Sequence, residues 1–250
     1  MLQLPDVPFG DLEIWLFDTD EGRSVLYQAI PIFLEQVQGI AHTPAGQELS
    51  RLQQEPTLDD KMAKQAMTLI QMIRLAYHEA SHVAASHLFL TEDQYIVGEV
   101  SLPGGPDLLE DHDAAANGYL RDGPQQLDYV LTTYIAPETM EPTLEVFRKG
   151  KLHRTGGDMS SGDLEAMADV KRKFEVASQQ QGFLMDSNEA ETEARSHLQL
   201  HRTVLKDATG LVAGIILNGI VEGDLKILAE DLEKTLNSRF RRGELISLGD

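Results

Sequence analysis

The chain contains no cysteine. Disulfides are therefore excluded, and any metal has to be held by histidine, aspartate or glutamate. Basic residues are also scarce: 21 Lys and Arg stand against 41 Asp and Glu, a formal net charge of -20. Nucleic acid and anionic membrane surfaces both attract basic patches, so neither is expected as the main partner. Long apolar runs are missing as well. The most apolar stretch, LVAGIILNGIV from Leu211 to Val221, is far short of the about 20 residues a membrane-spanning helix needs. The N-terminal MLQLPDVPFGDLE has no basic segment leading into an apolar run, so no signal peptide is expected. The composition predicts a soluble, cytoplasmic protein. Its 250 residues, 42% of them hydrophobic, suffice for a sizeable core.

The patterning is mostly helical. Residues 24 to 40 carry helical apolar spacing around Pro31. Thr57 to Leu90 runs without Gly or Pro, and Met62, Ala66, Ile70, Ile73, Tyr77 and Ala80 recur every three or four residues. One apolar face follows, with Thr57 and Asp60 resembling a capping box at its start. QYIVGEVSLPGGP, 94 to 106, predicts a short strand that ends in a Pro-Gly-Gly turn. Residues 104 to 123 read as an acidic, Gly-rich loop, and helical patterning resumes over 125 to 149. RTGGDMSSGDLEAM reads as a Gly-rich loop leading into a helix capped by Ser160 or Ser161. Ser187 to Arg241 is almost wholly helical in pattern, with a bend near Asn218 to Gly223. The expected class is mainly α with a small β element.

The long helix carries the chemistry. His78-Glu79-Ala80-Ser81-His82 matches H-E-x-x-H. Residues four apart share a helix face, so His78 and His82 can grip one ion. Glu79 can then face a water on that ion and act as general base. A chance match in a chain of this composition has a probability of roughly 2%. The plain alternative is a helix that carries satisfied histidines and a solvated glutamate. A metal site also needs a third ligand. The extension H-E-x-x-H-x-x-G-x-x-H is excluded, because Ala85 and Leu88 occupy its Gly and third His positions. His87 is one residue off and is expected to face away from the metal, on the surface or behind a ligand. The third ligand must come from far along the chain. His197 and His201 are also four apart, but with no adjacent glutamate they read as an ordinary helix face. His112 and His153 fall in expected loops, with no spacing that assigns them a role.

HEASHVAASHLFL followed by YIVGEVSLPGG, and then TGGDMSSGDLEAM at 155 to 167, resembles the peptidase domain of the FtsH family of ATP-dependent zinc metalloproteases. The resemblance covers roughly residues 70 to 240. It implies a helical zinc-peptidase domain of the gluzincin or aspzincin kind over 57–250, with 1–56 as an N-terminal extension packing on that core. It implies that Asp163 is the third zinc ligand, with Asp158 and then Glu165 as lesser candidates. It further implies a zinc endopeptidase in which Glu79 activates water against unfolded or extended polypeptides. An extended substrate would add to the strand Tyr95 to Leu102, at Val97, Gly98, Glu99, Val100 and Ser101. A plain hairpin is the structural alternative there. The departures are specific. Ser81 stands where the family has Gly, IAPETMEPTLE replaces a G-G-R-A-A-E segment, and no G-x-x-x-x-G-K-[ST] occurs. Without its own ATPase the chain is expected to take unfolded substrate, or to rely on a separate ATPase or regulatory protein. A homo-oligomer is a further expectation, since the family's domains form rings. The competing expectation is a non-catalytic, peptidase-like binding module.

Overall fold

The computed structural model describes residues 2–3, 15, 18–91, 95–102, 115–120, 127–148, 151–155, 159–181, 186–219 and 225–246. Eight helices and six short strands occur among them. In chain order these are β1 (Leu2–Gln3), α1 (Asp20–Leu34), α2 (Pro44–Gln53), α3 (Asp60–Phe89), β2 (Tyr95–Leu102), β3 (Ala115–Leu120), α4 (Leu127–Met140), β4 (Leu144–Arg148), β5 (Lys151–Thr155), α5 (Ser161–Gln181), α6 (Ser187–Leu200), α7 (Arg202–Gly219), β6 (Leu225–Leu228) and α8 (Ala229–Asn237). The mainly helical class follows from this order.

The 30-residue α3 is unbroken. Its cap is Asp59 rather than the expected Thr57–Asp60 box: the Asp59 side chain accepts from the Met62 N–H at 2.8 Å. Over the first turns only one face is buried, at Ala63, Ala66, Ile70 and Ile73. From Ala76 to Leu90 every residue is buried except His78 and His82. The helix packs against α4, α7, β2 and β3. Full burial of a Leu or Phe side chain is worth about 1.5–3 kcal/mol, so Leu88, Phe89 and Leu90 hold this end firmly in place.

The N-terminal helices belong to the same core. Leu26, Ile30, Phe33, Leu49 and Leu52 cluster with the α3 residues. The Tyr77 hydroxyl donates to the Gln38 carbonyl and accepts from the Gln38 N–H. The neighbouring Gly39 has φ 76°, and a Cβ there would lie 2.4 Å from the Gly210 carbonyl oxygen. Only glycine fits that approach of the loop to α7.

Two three-stranded sheets flank the helices, in the orders β1-β4-β5 and β3-β2-β6. The expected helix over 125 to 149 stops at Met140. Leu144–Arg148 and Lys151–Thr155 instead form an antiparallel hairpin. Pro142 lacks the N–H a continuing helix needs. The expected helical run from 187 likewise opens into β6 after α7 ends at Gly219. β2 pairs antiparallel with β3 from Tyr95 to Ser101, with a register shift between Val97 and Glu99, and with β6 from Glu99 to Leu102. It is therefore the central strand, not an edge. The Pro-Gly-Gly turn after β2 lies outside the described residues.

Candidate metal centre

His78 and His82 are the two openings in an otherwise buried stretch of helix, and both point one way. Their rings meet edge to face, centroids 5.1 Å apart. The Nε2 atom of His78 lies 3.0 Å from Asp163 Oδ2, and that of His82 lies 3.2 Å from Asp163 Oδ1. These three side chains form a group able to hold a metal ion, the one such group among the described residues. Asp163, the third ligand that the resemblance implied, is thus brought together with the two histidines. Glu165 is exposed and outside the group, and Asp158 lies outside the described residues.

Each ligand is aimed by something behind it. The Thr133 carbonyl on α4 accepts from His82 Nδ1 at 2.6 Å. A carbonyl can only accept, so Nδ1 carries a proton and Nε2 is the ring nitrogen turned to Asp163 and left for a metal. His78 Nδ1 faces Glu141 Oε2 at 3.4 Å. Asp163 is aimed by the start of its own helix. Ser160 is the N-cap of α5: its hydroxyl accepts from the Asp163 N–H at 3.0 Å and donates to Asp163 Oδ2 at 2.7 Å. The Ser160 N–H reaches the same oxygen at 3.2 Å. This is a capping box with Asp at the third helical position, and it orients the carboxylate before any ion arrives.

The donor set suits a divalent metal ion such as zinc. Four-coordinate zinc has bonds of about 2.0 Å to nitrogen or oxygen, which puts neighbouring donor atoms about 3.3 Å apart. The His–Asp separations are close to that spacing without rearrangement. Electrostatics agree. Burial opposes charge on Asp163, yet its hydrogen bonds with His78, His82 and Ser160 hold the carboxyl far below the usual carboxylate range. Burial likewise opposes charge on His78, and the bonds to Asp163 and Glu141 with the charge of Glu79 still push its pKa up to about 10. The pocket favours a cation.

Glu79 is 4% exposed. Burial pushes its carboxyl up, His82 and His78 pull it down, and the net shift is upward. The Ala116 N–H of β3 donates to it. Ala116 pairs in register with Val100 of β2, and its N–H, given to Glu79, is turned off the β2 side of the strand. In an antiparallel strand alternate residues turn the same way, and the peptide groups of Gly118 share that outer side. Among the described residues β3 has no neighbour there. The free edge beside Glu79 is therefore β3. The expected docking strand is corrected accordingly: Glu99, Val100 and Ser101 are paired on both sides, and Val100 is fully buried. Val97 and Gly98 precede the register with β6.

Other histidines divide clearly. His87 faces away from the metal group as expected, but it is buried rather than on the surface, with Nε2 3.2 Å from the Phe240 carbonyl oxygen. His197 bonds Asp128 at 3.0 Å and packs on Tyr129, joining α6 to α4. His201 caps the C-terminus of α6 against Phe89. His112 and the His153 side chain lie outside the described residues. Sequence reasoning missed Thr133, Glu141, Arg74 and Ala116. Arg74 alone left a signal, since it stands one helical turn before His78. Comparison with models of known protein families, with curated proteins and with solved structures returned no match.

Proposed function

We propose that this chain is a zinc-dependent endopeptidase resembling the peptidase domain of the FtsH family, acting on unfolded or extended polypeptides. One observation carries the reading: the only two unburied residues of a fifteen-residue helical stretch are the histidines of H-E-x-x-H, and an aspartate 81 residues beyond His82 bridges both of their Nε2 atoms. Two imidazoles and a carboxylate also suit iron(II) or manganese(II). The buried glutamate next to the first ligand favours zinc and hydrolysis over those. His78, His82 and Asp163 would hold the ion, a three-ligand set of the kind found in catalytic zinc sites. When bound, zinc supplies Lewis acidity toward a water and a substrate carbonyl.

The chain's own groups do the rest. Glu79, its affinity for protons raised by burial, takes a proton from the attacking water as the oxygen bonds to the carbonyl carbon. The same carboxyl then gives that proton to the amide nitrogen as the C–N bond breaks. The edge of β3 that has no neighbour among the described residues holds an extended substrate by main-chain hydrogen bonds at Gly118, which positions a peptide bond without reading its side chains. No nucleotide-binding motif occurs in these 250 residues, so the reading is confined to unfolded or extended substrates.

A second reading rests on the burial of Glu79, whose carboxylate already has a donor in Ala116: a peptidase-like module that binds a partner without cleaving it. Zinc content together with casein digestion separates the two. Wild type is expected to carry one zinc and digest casein, and Glu79→Gln to carry zinc and leave casein intact. Zinc-loaded wild type that fails to cut casein or any extended peptide supports the binding module.

A further inference from the structure

We infer that Glu141, clamped by Arg74, is the positioning residue that fixes His78 as a metal ligand and sets how tightly the site holds its ion. The inference rests on the metal-centre reading above and adds a role for two residues outside it. Arg74 and His78 stand one turn apart on the same face of α3. Glu141 follows the last residue of α4, and its side chain is 7% exposed. One carboxylate oxygen, Oε1, accepts from Arg74 Nε at 2.9 Å and from Nη2 at 2.6 Å. The other, Oε2, faces His78 Nδ1. Glu141 therefore closes a bridge between two residues of one helix, from a second helix packed against it.

The chemistry of this bridge admits no amide. An ionised carboxylate is acceptor-only at both oxygens, and here one meets a guanidinium while the other meets an imidazole N–H. A glutamine has one accepting oxygen. It can serve Arg74 or His78, but it must then turn its NH2 toward the other donor. Burying a carboxylate this deeply is costly unless it is paired and hydrogen-bonded. Arg74 offsets that cost, and Oε2 remains to orient and polarise His78. The arrangement of the two histidines is asymmetric. His82 is held by a neutral main-chain carbonyl that no side-chain change can remove, and His78 by a charge that one atom's substitution abolishes.

The experiment is zinc affinity by chelator competition for full-length wild type, Glu141→Gln and Glu233→Gln, with folding checked by circular dichroism. Glu233→Gln is the structural control. It breaks the Arg242–Glu233 ion pair, 2.8 Å long, without touching a ligand or its support. Glu141→Gln is expected to bind zinc about 10- to 100-fold more weakly, and Glu233→Gln to match wild type. Loaded with cobalt(II) at equal occupancy, Glu141→Gln is expected to show visible ligand-field bands displaced from those of wild type, the mark of an altered imidazole that a merely structural role would not produce. Equal zinc affinity and unchanged cobalt bands in Glu141→Gln overturn the inference and leave the metal centre standing. Equal loss of affinity in both variants also overturns it, as an effect of general loosening. Absence of zinc binding by wild type overturns the metal centre and this inference with it.

Discussion

His82 Nδ1 lies 2.6 Å from the Thr133 carbonyl oxygen, and this contact decides which ring nitrogen is left to meet a metal. With an NMR-active cadmium isotope in place of zinc, scalar coupling from the ion is predicted to reach Nε2 of both His78 and His82. Coupling through Nδ1 of either ring would contradict the tautomers assigned here.

Ser160 is predicted to matter twice. Its hydroxyl caps α5 and holds the Asp163 carboxylate. Ser160→Ala is expected to cost about 1 kcal/mol of stability, as loss of a helix cap does. It is also expected to weaken zinc about tenfold, through a less constrained ligand. Thermal unfolding with and without chelator checks both effects. A variant with wild-type zinc affinity would show that the capping box serves the helix alone.

The metal-free protein should have a distinctive pH profile. His78 is raised from 6.5 to about 10, so its contribution to stability is full below pH 6.5 and drains away as pH climbs toward 10. Asp163 is lowered, so its contribution is present above 3.8 and lost in acid. The melting temperature of chelator-treated protein is therefore expected to be highest between about pH 4 and about pH 6.5 and to fall on the alkaline side. His78→Ala is expected to flatten that alkaline limb. Zinc must displace the His78 proton, so its affinity should rise over the same interval. A metal-free melting temperature that stays level between about pH 6.5 and about pH 9 would contradict the pairing.

The open edge of β3 gives a prediction about substrate alone. Gly118→Pro removes the N–H that, two residues on from the Ala116 N–H given to Glu79, shares its side of the strand. The variant is expected to keep its zinc and lose at least about tenfold in kcat/KM toward extended peptides, one lost main-chain hydrogen bond. Unchanged kcat/KM would move substrate docking elsewhere.

Much of this arrangement was legible in the sequence, and the failures have physical causes. The helical spacing of Ala66, Ile70, Ile73 and Tyr77 marks α3 because a long amphipathic pattern admits one period. His78 and His82 follow from spacing within one helix. Asp163 did not follow from spacing: only the resemblance carried by TGGDMSSGDLEAM pointed to it. Ser160 was expected as a cap, and its reach to the carboxylate follows from capping-box geometry. Strand order was misread because pairing is non-local. Nothing in YIVGEVSL says that β6, well over a hundred residues later, fills the edge facing Glu99 to Leu102. Glu141 and Thr133 were invisible for a related reason. Thr133 acts through its main chain, which any residue supplies, and Glu141 sits just past a helix end in a segment with no recognisable pattern.

The most direct measurement is anomalous X-ray scattering from zinc-loaded crystals, recorded on both sides of the zinc absorption edge. One zinc peak is predicted, bonded to His78 Nε2, His82 Nε2 and an Asp163 carboxylate oxygen, each at about 2.0–2.2 Å, with the Glu79 carboxylate beside the ion but outside bonding distance. A peak coordinated by other residues, or none at this group in fully loaded protein, would contradict that prediction.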